Sequence, residues 1–70
     1  MSWYLKRFSR DAIDEITRSP ENYDSQDIRR AAKDAEYHYM DDTYGCDIEW
    51  MTLVQLKLND VLRSRGEAPV

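Results

Sequence analysis

The stretch DIEWMTLVQLKLNDVLRSRG, residues 47–66, decides the fold. Trp50, Met51, Val54, Leu58, Val61 and Leu62 recur in it at three- and four-residue steps, the period of an α-helix buried along one stripe. Asp47 is suited to cap its start and Gly66 to end it, with Arg63 and Arg65 near the negative pole. The pattern predicts a helix over 48–65.

Leu53 and Leu56 do not fit that stripe. On an ideal wheel they project about 80° to 140° away from its centre, so both sides of the helix are partly apolar. One reading places the helix centrally, with a neighbour on each side. The other sends the two leucines out of the subunit into a dimer or partner contact, as exposed apolar patches usually mark interfaces. A chain of 70 residues buries only about 60% of its unfolded surface, and two leucines contribute about 1.5–3 kcal/mol each when covered. A homodimer with Leu53 and Leu56 as its seam is the expectation.

Outward from this helix the period stays helical. Asp24 or Ser25 can cap a second helix over about 25–42, whose stripe is Ile28, Ala31, Ala32, Ala35 and Tyr39. The alanines keep that stripe thin and allow a close neighbour. Gly45 suits the left-handed position after it. Before it, Ser19-Pro20-Glu21-Asn22-Tyr23 is a connector with room for one helical turn. Leu5, Phe8, Ala12 and Ile16, with Ile13 beside them, predict a first helix over 3–18 capped by Ser2. A helix that starts only at Ser9, after a strand over Trp3–Phe8, is the competing reading; no second strand is visible to pair with it. Arg7/Asp11, Arg10/Asp14 and Asp14/Arg18 would pair on the outer face. The expectation is an all-α, compact three-helix bundle that forms a dimer, with one domain over 1–65 and a flexible tail over 66–70.

Cys46 is the single cysteine and cannot form an internal disulfide, which fits a reducing compartment. The N-terminus holds no apolar run long enough for a signal segment, and no stretch approaches a membrane span. A cytoplasmic protein is expected, with no membrane partner.

The net charge of −4 disfavours a surface that grips nucleic acid throughout. It is also unevenly spread: residues 37–50 alone carry −4, from Asp41, Asp42, Asp47 and Glu49. Asp27, Asp34 and Asp41 stand seven residues apart, so each is about 10.5 Å further along one flank of helix 2. Tyr37, Tyr39, Tyr44 and Trp50 lie in or near the same region. Such a row is suited to a basic protein surface, including one that ordinarily holds DNA phosphates. Asp34, Asp41, Asp42, Asp47 and Glu49 would supply charge, and Tyr37 and Tyr44 contact area. Small proteins of phages or mobile elements that disable a host factor have this economy.

Other chemistry fits less well. Asp34, His38 and Asp42 are four residues apart, but the outer two lie about 12 Å apart, too far to chelate one ion together. His38 is expected at the surface among carboxylates. A calcium-loop register over 41–49 fails, because Met40 falls where the first ligand belongs. Cys46 has acidic neighbours, which do not favour a thiolate, and two glycines cannot build a phosphate loop. No cofactor, metal or catalysis is expected. The alternative is a helix-turn-helix-like DNA binder using Arg29, Arg30 and Lys33, against which the third helix opens with carboxylates. The reading is a small non-catalytic regulator or inhibitor that binds a protein.

Overall fold

A computed structural model of the chain describes residues 7–40 and 48–70. Three helices, α1 (Arg10–Arg18), α2 (Ser25–Met40) and α3 (Ile48–Ser64), follow one another, with a single 3-10 turn at Pro20–Asn22 between the first two. No helix is long and apolar enough to cross a membrane among the described residues. The all-α reading therefore holds, with α3 close to its predicted bounds and α2 starting where expected. Its predicted end at 42, and Gly45 and Cys46 beyond it, lie outside the described residues.

α1 is the correction. It begins at Arg10, and residues 7–9 are not helical; Leu5 and the Ser2 cap lie outside the described residues. Ser9 is extended (ψ 166°), its hydroxyl accepts from Ala12 N–H at 3.1 Å and its carbonyl accepts from Ile13 N–H at 2.9 Å. This is the N-cap arrangement that the competing reading expected. Periodicity does not reveal the break, because Phe8 continues the apolar period and packs on the core from outside the helix. At the other end, Ser19 N–H donates to Glu15 O and Pro20 opens the 3-10 turn. Asp24 then caps α2 by accepting from Asp27 N–H at 2.9 Å.

The core is built from Ile13 and Ile16 of α1, Ile28, Ala31, Ala32 and Ala35 of α2, and Val54, Leu58 and Leu62 of α3. Phe8, Tyr23, Trp50, Met51 and Val61 pack against it, partly buried. All three alanines are fully buried. A stripe of methyl groups lets α3 come close enough that Gln55 Nε2 donates to the backbone carbonyl of Ala32 at 3.0 Å. That carbonyl already belongs to the helix ladder, so Gln55 uses its second lone pair.

α3 ends as Gly66 predicts. The glycine takes φ +78°, Glu67 N–H donates to Leu62 O and Gly66 N–H to Arg63 O, both at 2.9 Å, which is the Schellman pattern. The segment 66–70, expected to be a flexible tail, carries tertiary bonds. Arg29 reaches Glu67 at 3.1 Å and Ala68 O at 3.0 Å, and Val70 N–H donates to Asn59 Oδ1 at 2.8 Å. Arg65 crosses to the connector, donating to Pro20 O (3.1 Å), Tyr23 O (3.0 Å) and Ser25 Oγ (3.2 Å).

The Ser25 hydroxyl, then Arg29 and Arg65, hold the Glu67 carboxyl below the usual glutamate range. A carboxyl with a depressed folded pKa supports the folded arrangement above its unfolded pKa and ceases to do so as pH falls through the folded one. Acidification through that window should therefore loosen the tail, seen as faster amide exchange at Val70 relative to the core, and Glu67→Gln should show the loosening at neutral pH. In the core, Ala32→Leu should push α3 off α2 and cost about 1–3 kcal/mol in urea denaturation, and Leu58→Ala about 2–5 kcal/mol.

Candidate functional site

Asp34 and His38 stand four residues apart on α2 and so share a face. Both are spent on one backbone residue. Phe8 N–H donates to Asp34 Oδ2 at 2.9 Å, and Phe8 O lies 2.8 Å from His38 Nε2. A carbonyl can only accept, so Nε2 carries the proton. In a β-strand a residue can present its own N–H and C=O to the same neighbouring strand. Here two helix side chains take the strand's place. Outside the helix, Phe8 thus has both of its backbone groups satisfied from α2.

Cations cover the adjoining rings. The Arg30 guanidinium sits over the Phe8 ring at 4.4 Å, and Arg7 over Tyr37 at 3.4 Å. From α3, Trp50 joins the cluster: its Nε1 donates to Asp14 at 2.7 Å, Arg10 lies over its ring at 4.3 Å, and its edge meets His38 at 6.4 Å and 83°. Tyr37 meets His38 at 6.4 Å and 79°. Residues from all three helices thus close one end of the bundle, where α2 finishes and α3 begins.

This placement sorts the predicted site residues. Asp34 is half-buried and anchors Phe8, so it leaves the exposed acidic row. Tyr37 is 40% exposed, with one face under Arg7. Glu49 is exposed. Asp41, Asp42, Tyr44 and Asp47 lie outside the described residues, as does the side chain of Tyr39. His38 is a half-buried backbone ligand and not the surface imidazole expected. Asp14, expected to pair with Arg10 or Arg18, receives Trp50, and Arg18 pairs with Glu15 at 3.1 Å. No group of three side chains is set to hold a metal ion among the described residues.

Leu53 and Leu56 are 62% and 58% exposed, which rules out the reading that buries them between α1 and α2. Ile48, which the sequence reading passed over, is 52% exposed at the start of α3. Of the alternative basic cluster, Arg29 is bound to the C-terminal segment and Arg30 lies over Phe8, while Lys33 is exposed. Comparison with models of known protein families, with curated proteins and with solved structures finds no match in any of the three.

Asp34→Ala should orphan the half-buried Phe8 amide and cost about 1–3 kcal/mol in urea denaturation. Amide exchange at Phe8 should rise while that of Leu58 follows global stability alone. Asp34→Asn, whose amide oxygen still accepts, should cost less.

Proposed function

We propose that this chain is a small non-catalytic regulator that acts by binding another protein, and that the α2–α3 end docks a basic site on that target. From Asp34 through Leu56 the sequence carries Asp34, Glu36, Asp41, Asp42, Asp47 and Glu49 and no lysine or arginine. α2 and α3 pack along each other, so the two arms of this stretch meet at one end of the molecule. The observation that carries the reading is the mixture found there: Glu36 and Glu49 exposed beside exposed Tyr37 and Ile48. Carboxylates raise the rate of encounter with a basic surface, and apolar and aromatic area supplies the holding energy. Asp34 contributes from behind, by fixing the segment that brings Arg7 onto Tyr37.

Direct DNA binding comes second. Arg29 and Arg30 already have intramolecular partners, and the first turn of α3 carries Glu49 and no basic side chain to meet phosphate.

The triple variant Glu36→Lys, Asp41→Lys, Asp42→Lys should keep its helicity by circular dichroism. In parallel affinity captures from the native source's lysate, the wild type should retain a basic protein that the variant retains at least about tenfold less, and added salt should weaken the wild-type capture. Equal retention of the same proteins by both chains would sink this reading. A shift of labelled duplex DNA by the wild type at low salt would replace it with the second.

A further inference from the structure

The outward face of α3 has an internal order. Leu56, 58% exposed, sits at its middle. Glu49 and Arg63, both exposed, stand seven residues before and after it, each about 20° from its direction on an ideal helix. Thr52 and Asp60, also exposed, stand four residues to either side, about 40° away. Leu53, 62% exposed, widens the apolar centre. Along one strip the helix reads acid, leucine, base.

We propose that this strip pairs with the same strip of a second copy of the chain, antiparallel, about a two-fold axis passing near Leu56. The two-fold operation carries each residue to the position equally far on the other side of the axis. Glu49 then faces Arg63 of the partner subunit, twice per dimer, and the leucines meet at the centre. A parallel pair would instead set the two Glu49 carboxylates together. The charge order therefore selects both the occupant and its direction.

Arg63 is prepared for this. Its guanidinium holds Asp60 at 3.0 Å, with the two side chains 58% and 75% exposed, and has donors left for a second carboxylate. Thr52 brings a hydroxyl opposite the partner's Asp60. One helix pair of this length buries less than about 1,200 Å², the size class of weak and transient contacts. The proposal rests on α3 and its test needs no target protein, so a failed dimer leaves the docking reading standing; the two share only Glu49, which the dimer would engage while leaving Glu36 free.

The full chain is examined by sedimentation from about 1 μM to 1 mM, a range that brackets weak association. A monomer–dimer equilibrium is expected. Glu49→Arg and Arg63→Glu should each weaken it about tenfold or more, by turning two attractive pairs into repulsive ones. The double variant, which restores both pairs with reversed sign, should return to within about threefold of the wild type. Should a reversal lower helicity through the helix dipole, Leu56→Gln, at an exposed position, should give a folded chain that no longer dimerises. A chain that stays monomeric across the range, reversals that leave the dimer unchanged, or a double variant as weak as the singles would each overturn the proposal.

Discussion

The closeness of α2 and α3 is the constraint on which the rest of this structure depends. Three alanines, Ala31, Ala32 and Ala35, form the buried stripe of α2 and offer only methyl groups to the neighbouring helix. Interaxial distance is set by the side chains at the contact, so such a stripe allows the near limit of the range. Val54, Leu58 and Leu62 lie against it, and Gln55 reaches the Ala32 carbonyl. A thin stripe also makes a small core. The two isoleucines of α1 and Ile28 fill what the alanines leave, and among the described residues nothing larger than isoleucine or leucine is fully buried.

With so little apolar volume, polar staples carry the chain where helices stop. At one end Asp34 and His38 hold the Phe8 backbone; at the other Arg65 and Arg29 tie the end of α3 and the residues after it to the connector and to the start of α2. Each staple joins segments far apart in sequence, which lowers the freedom of the chain ends. Most of these bonds go from a charged or ring group to a backbone atom. Such bonds are worth more than exposed ion pairs like Arg18–Glu15, where water competes for both partners. The inner flank of α2 is therefore occupied by architecture, while the α2–α3 end and the outward face of α3 keep exposed apolar side chains, Tyr37, Ile48, Leu53 and Leu56.

The helices were legible because their stripes are periodic. Ile28, Ala31, Ala32, Ala35, Val54, Leu58 and Leu62 were named from spacing and are buried. The start of α1 was not legible: Phe8 continues the helical period, and what pulls its backbone out of the helix is a pair of side chains 26 and 30 residues away. The same pair holds a second lesson. From sequence His38 reads as a surface imidazole among carboxylates, whereas an Asp and a His four residues apart on a helix can together hold the N–H and C=O of one residue, as they do at Phe8. Arg65 reads from sequence as a charge at a helix end, and its reach to Pro20 and Tyr23 depends on tertiary placement. The exposed state of Leu53 and Leu56 was visible as an angle on the wheel, while the choice between a central helix and an outward face needed the positions of α1 and α2.

Charge links the two surfaces. A chain with net charge −4 that concentrates its carboxylates in one stretch of sequence, residues 34–49, resists association wherever two such stretches meet. In the proposed antiparallel pair the two Glu49 residues stand fourteen residues apart along the helices, about 21 Å, which is beyond the screening length of about 8 Å at physiological salt. Each acidic end lies instead beside the arginine-bearing end of its neighbour. The polarity of α3, acid at its start and base at its close, therefore permits an acidic protein to associate with itself and still leaves an acidic end of each copy pointing outward. A dimer so arranged presents two such ends on opposite sides. A target with repeated basic sites would be held by both, and the gain would come from local concentration without any further contact.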